Sequence, residues 1–219
     1  MSELILIAAS GLAREVLAMV RASGQYDVVG LLDDNPNMVG VSIDGAPVLG
    51  FIDDAPKYTH AFVLVCVGSG KTRETLVERL TAMGLHESRY ATAIDPSVYL
   101  PDGCQVGRGS ILLQNVTLTT SVTLGSHVVA MPSVTFTHDD TVADFSTFAS
   151  GVSLGGGVRV GRAAYLGMNS SVREQTSIGA YSTVGMGAAV LSNVPEGQTW
   201  VGVPAQSIDI SSVQGGPRL

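Results

Sequence analysis

Residues 116–148 read VTLTTSVTLGSHVVAMPSVTFTHDDTVADFSTF, and a period of six runs through them. Every sixth residue is apolar: Leu118, Leu124, Ala130, Phe136, Val142 and Phe148. The same frame collects Ile94, Leu100, Val106 and Leu112 upstream. Downstream it collects Leu154, Val160, Leu166, Val172, Ile178, Val184 and Val190. In a chain that is 45% hydrophobic, seventeen such positions without an insertion arise by chance on the order of once in a million. Free choice of frame relaxes that by about two decades. Position i+4 is mostly small or branched, from Val98, Cys104 and Ser110 to Ser182 and Ala188. Glycine recurs at i+1, as Gly107, Gly125, Gly155, Gly161, Gly167, Gly179 and Gly185. This is the hexapeptide signature of a parallel β-helix, in which three hexads close a triangular coil of about eighteen residues. The i side chains stack inside the prism, and the turn glycines are expected to relieve the backbone at its corners. The repeat predicts about five coils over residues 93–206, with the stretch from Asn193 to Ala205 capping one end.

Residues 1–92 follow another rhythm. Residues 4–8 are a short continuous apolar run of the kind that buried parallel strands show. The run breaks at Ala9-Ser10-Gly11, and a helical pattern follows through Val16, Leu17, Met19 and Val20 to Gly24. Residues 28–32 predict a second strand ending at Asp33-Asp34, and residues 61–67 a third ending at Gly68-Ser69-Gly70. Residues 73–83 predict a second helix, closed by Gly84. Alternating strands and helices imply a small parallel α/β unit with its ligand crevice at the strands' carboxyl ends. Ser10-Gly11 would present helix N–H groups to a phosphate, and Asp33-Asp34 would take a ribose or base. The string Gly68-Ser69-Gly70-Lys71-Thr72 imitates the end of a P-loop. However, Val65 stands where that motif needs its first glycine, which excludes an ATPase reading. Residues 207–219, rich in Ser and Gly, are expected to be a flexible tail.

Composition agrees with a repeat of tight corners. Glycine accounts for 26 of 219 residues, and charged residues for only 14%. Residues 109–138 carry no Asp, Glu, Lys or Arg, which raises a membrane span as a possibility. Twelve Ser, Thr, Asn and Gln residues interrupt that run, unlike a spanning helix. Residues 4–9 are too short for an export signal and follow Glu3 rather than basic residues. A net charge of −7 disfavours nucleic acid as a partner. Cys66 and Cys104 have no metal-ligand spacing and read as buried hydrophobes in a reducing compartment, so no metal and a cytoplasmic location are expected.

His138 stands at i+2 of the hexad beginning at Phe136, so it should point away from the core. An imidazole accepts a proton near neutrality, and an adjacent carboxylate, here Asp139, can hold its tautomer. From the residues alone the pair is either such a base or a solvated surface pair. His60, His86 and His127 lack this context and read as surface or structural. Asp140 occupies an i+4 position that is otherwise small and apolar, marking either a loosened corner or a further site carboxylate. Neither cysteine is placed to form an acyl-enzyme.

The repeat, its place behind an α/β unit and several local stretches together resemble one family. The stretches are Ala9-Ser10-Gly11, Leu32-Asp33-Asp34, Val67-Gly68 with Arg73, His138-Asp139, Asp144-Phe145-Ser146, Leu166-Gly167-Met168-Asn169 and Val201-Gly202-Val203-Pro204-Ala205. The family is the hexapeptide-repeat acyltransferases, and within it the bacterial sugar-nucleotide N-acetyltransferases and sialic acid O-acetyltransferases. The resemblance implies a Rossmann-like acceptor-binding domain over 1–92, a left-handed β-helix over 93–206, and a homotrimer with active sites between subunits. It implies acetyl-CoA as co-substrate, with no metal, and His138 as general base supported by Asp139. Thr147, Gly167, Met168, Gly185 and Met186 would line the acetyl-CoA groove. Ser10, Gly11, Leu12, Asp33, Asp34 and Gly68 would bind the acceptor. The implied activity is acetyl transfer to the amine of a nucleotide-linked amino sugar, the alternatives being a sugar or sialic acid hydroxyl and an idle trimeric scaffold. The chain departs from the family's usual residues at Ala8, Leu12, Ala13, Met131, Thr147 and Gln206.

Overall fold

The computed structural model describes residues 1–209. Near the N-terminus, β1 (Ser2–Ile7) lies between β2 (Tyr26–Leu32) and β5 (Phe62–Val65), both parallel to it. The full order is β3-β4-β2-β1-β5, with β3 (Ser42–Ile43) antiparallel to β4 (Ala46–Gly50) at the edge. The apolar run of β1 is continuous because both its faces are covered. Leu4 and Leu6 meet α1 (Gly11–Ser23), while Ile5 and Ile7 meet Ile52, Leu80 and Tyr90. Ser10 caps α1 by accepting the Ala13 N–H, and Gly24 ends it in the left-handed conformation. The second helix, α2, spans Gly70–Ala82, three residues longer at its start than the periodicity predicts, because the Ser69 hydroxyl caps it at the Thr72 N–H.

From residue 93 the chain coils. Strands of two residues pair in parallel with the strand eighteen residues on, as in Thr123↔Thr141, Thr147↔Tyr165 and Ser153↔Ser171. They form three faces. Gln105–Val106 begins the first, Ala93–Ile94 the second and Thr117–Leu118 the third. The six-residue frame points inward, and Leu112, Leu124, Phe136, Phe148, Leu166 and Val184 are all buried in one core. Each fully buried Leu, Val or Phe is worth about 1.5–3 kcal/mol, so the column of stacked side chains carries the prism. Leu100 is the exception: it lies outside any strand and is 39% exposed, at the end of the prism. Cys104 is likewise only partly buried.

The corner glycines act differently from the expectation. Left-handed backbone falls at i+3, on residues such as Asp139 (φ 64°), Phe145 (φ 63°) and Asn169 (φ 54°). The i+1 glycines are needed for close approach between coils instead: a Cβ on Gly167 would stand 2.6 Å from the Met186 nitrogen.

The prism ends as expected in a cap. Thr199–Val201 extends the second face over Thr183–Val184, and Gln206–Ile208 returns antiparallel to it. The tail boundary expected at 206/207 therefore falls inside a strand, and residues 210–219 of that tail lie outside the described residues. The two units share a core, since Ile111, Leu113 and Val129 on the outside of the second face pack with the residues under α1. Among the described residues, no helix is long and apolar enough to cross a membrane.

Candidate active site

Residues 137–140 form a corner between the third and first faces. His138 and Asp139 project from it with side chains 64% and 66% exposed, and His138 Nδ1 lies 2.8 Å from Asp139 Oδ2. Asp139 reaches back to its neighbour's ring because it takes the left-handed conformation, which turns its side chain along the corner. With Nδ1 held by the carboxylate, Nε2 is the nitrogen with a free lone pair. The ring rests on the coil above. A Cβ on Gly156 would come within 2.3 Å of Nε2, so that position admits the imidazole only as glycine.

Asp140 does not loosen this corner. It is fully buried, with Oδ2 accepting the Thr137 N–H and Oδ1 accepting the Val158 N–H, each at 2.8 Å. Burial pushes its carboxyl up to about 6, against the pull of the two N–H groups and of His138.

A second corner, between the first and second faces, is covered by the α/β unit. Arg73 of α2 is buried there, and among the described residues it forms no ion pair. It donates to the carbonyls of Val67, Gly68, His127, Phe145 and Ser146 and to the Thr147 hydroxyl. Burial draws its guanidinium down to about 9. His127 is stacked on Phe145 with ring centroids 5.0 Å apart and is met edge-on by Tyr90. Burial, then Arg73, lowers it to about 4, so it is neutral at physiological pH. Beside this junction a cleft of about 450 Å³ is lined by Gly68, Lys71, Tyr165 and Tyr181.

The remaining expected residues fall in three places. Gly167 and Met168 stack beneath Gly185 and Met186 at the third corner, with Met168 49% and Met186 73% exposed. Thr147 does not join them. It is buried under the α/β unit, its hydroxyl donating to the Gly68 carbonyl at 2.8 Å, so it is not open to a groove. Ser10, Gly11, Asp33 and Gly68 gather at the carboxyl ends of β1, β2 and β5, as the topology requires. Leu12 points into the core beneath α1 and offers no side chain to a ligand. Ser10 donates to the Cys66 carbonyl, and Asp33 accepts the N–H groups of Ala9 and Asn35. Asp34 is paired with Arg79 at 2.5 Å. A single chain thus keeps the histidine pair and the exposed methionines on different corners. Cys66 is buried, and burial pushes its thiol up, away from nucleophilic use. Among the described residues, no group of three or more His, Cys, Asp or Glu is placed to hold a metal ion.

Comparisons with known proteins bear on both units. Residues 3–80 match the PglD N-terminal domain family. GDP-perosamine N-acetyltransferase of Escherichia coli O157:H7 is 29% identical over 179 residues, 78% of this chain and 79% of that protein. The acyl-[acyl-carrier-protein]–UDP-N-acetylglucosamine O-acyltransferase of Stutzerimonas stutzeri (strain A1501) is 31% identical over 106 residues, 48% of this chain. The chain spans only 39% of that relative's length. The acetyltransferase domain of PglB from Neisseria gonorrhoeae FA1090, solved in complex with acetyl coenzyme A, superposes with a TM-score of 0.86 at 26% identity. That match covers 94% of this chain and 99% of the PglB domain. The PglB match thus spans both the α/β unit and the β-helix, and the family match falls within the α/β unit.

Proposed function

We propose that this chain, a hexapeptide-repeat sugar acetyltransferase in its architecture, moves an acetyl group from acetyl-CoA to the amine of a nucleotide-linked amino sugar. The observation that carries this reading is the exposed His138–Asp139 pair, with Nδ1 engaged and Nε2 free. In the proposed step the acceptor nitrogen attacks the thioester carbonyl carbon while His138 Nε2 takes the amine proton. Asp139 stabilises the imidazolium that forms. Collapse of the tetrahedral centre breaks the carbon–sulfur bond, and the imidazolium returns its proton to the departing CoA thiolate. No covalent enzyme intermediate is needed.

The separation of the corners supports a homotrimer as the working form. In that arrangement, His138 of one subunit would face the Met168–Met186 edge of its neighbour, and acetyl-CoA would lie between them over Gly167 and Gly185. The α/β unit would hold the nucleotide near Ser10, Gly11, Asp33, Asp34 and Gly68, with helix N–H groups on the phosphates. A hydroxyl acceptor is the second reading, favoured by the 106-residue match to relatives named as O-acyltransferases. Thioester consumption measured across UDP- and GDP-linked amino sugars, with the matching hydroxyl sugars as controls, tests both. Turnover with an amino sugar alone supports N-acetylation, turnover with the hydroxyl series replaces it, and none with either sinks the enzyme reading. Light scattering at a monomer mass near 22.6 kDa would remove the shared site.

A further inference from the structure

The i+4 layer of the prism is built of Val, Ser, Ala, Thr and Cys, and Asp140 is its one carboxylate. Its neighbours show what an i+4 side chain must do for the fold. Ser110 accepts the N–H of the residue eighteen positions on, Val128, at 3.0 Å. Asp140 Oδ1 makes the equivalent bond to Val158, also eighteen positions on. A hydroxyl therefore suffices for coil stacking, and the second carboxylate oxygen is surplus to it. That oxygen accepts the N–H of Thr137, the residue immediately before His138. Thr137 is tied to the next coil as well, its hydroxyl donating to the Leu154 carbonyl at 3.1 Å, and the His138 carbonyl accepts the Gly157 N–H.

We propose that Asp140 is a positioning residue for His138: its second oxygen fixes the backbone from which the imidazole projects over Gly156. The inference rests on the acetyl-transfer reading with His138 as base. Its charge also acts on the ring, because an anion buried in the same corner favours the imidazolium that forms during proton transfer. The ionisable groups around Asp140 are His138 and Asp139 on its own corner. Residues 119–122 of the preceding corner and 154–158 of the following one contain none. Protonation of Asp140 near pH 6 leaves one of the two amides without its acceptor, so the corner loosens as pH falls through that range.

The test uses the full chain with Asp140→Ser, which keeps the Ser110-type bond and hence the fold, and Asp140→Asn, whose single carbonyl can serve one amide only. Both variants should lose about tenfold to thirtyfold in kcat while both KM values stay within about twofold. The acid limb of log kcat/KM should be steeper in the parent than in Asp140→Ser around pH 6. Turnover within twofold of the parent, or an unchanged acid limb, overturns the proposal. Nitrogen-15 NMR of the His138 ring provides a readout independent of turnover. Asp140→Ser should shift or broaden the ring signals, and unchanged signals also overturn the proposal. Should His138→Ala keep full activity, the base reading falls, and the NMR comparison alone decides whether Asp140 positions the ring.

Discussion

His127 and His138 stand in two corners of the same prism, and each lies over a glycine of an adjacent coil. A Cβ on Gly109 would come within 2.2 Å of His127 Nδ1, as one on Gly156 would of His138 Nε2 at 2.3 Å. Their fates differ because of what covers the corner. The α/β unit lays Tyr90 and Arg73 on His127, leaving it 5% exposed with Nδ1 unpartnered. Nothing among the described residues covers His138, whose side chain is 64% exposed with Nδ1 on Asp139. The repeat supplies equivalent positions, and docking of the second unit decides which becomes structure and which is left for chemistry.

The largest expected effect separates the two outright. His138→Ala should cut kcat/KM about a thousandfold, the middle of the range for a lost general base, with stability within about 0.5 kcal/mol because the side chain is exposed. His127→Phe should keep turnover but change acid sensitivity. His127 is held neutral in the fold, with its pKa lowered to about 4. Its contribution is fully present above about pH 6.5 and is lost as pH falls toward 4, because the unfolded chain takes the proton first. Chemical denaturation at pH 7 and pH 4.5 should show the parent losing up to about 3 kcal/mol more than the variant. Asp140 shifts the other way and cancels between the two proteins. Equal losses would dissolve the contrast. The glycines give the smallest effects. Gly109→Ala should cost about 2 kcal/mol of stability, since φ is +75° there and the buried ring cannot move. Gly156→Ala should instead lower turnover about tenfold at nearly unchanged Tm, because the exposed imidazole can swing away. Reversal of that pair would mean that cover does not decide the roles.

The period of six was legible because each hexad repeats the same local problem, an inward side chain and a corner, so a single frame places the core. The outward direction of His138 followed from that frame. The hairpin from Ser42 to Gly50 was missed, although Asp44-Gly45 is a type I′ turn signal with both residues at positive φ. Thr147 and Leu12 were expected to meet ligands and are buried. Thr147 lies at the junction of two units far apart in sequence, and Leu12 faces inward from α1. Arg73 matched a family stretch, but no spacing rule announces a guanidinium buried among carbonyls more than fifty residues away.

By itself the sequence determined the prism, its five coils, the buried strand β1 and the exposed histidine pair. These rest on short-range stacking and on period, which a linear chain displays directly. Only the tertiary structure decided which corner the α/β unit covers, why seven of the i+1 positions must be glycine, and that the second oxygen of Asp140 holds the amide before His138. Those outcomes depend on surfaces brought together from distant parts of the chain, where packing and desolvation leave no periodic mark.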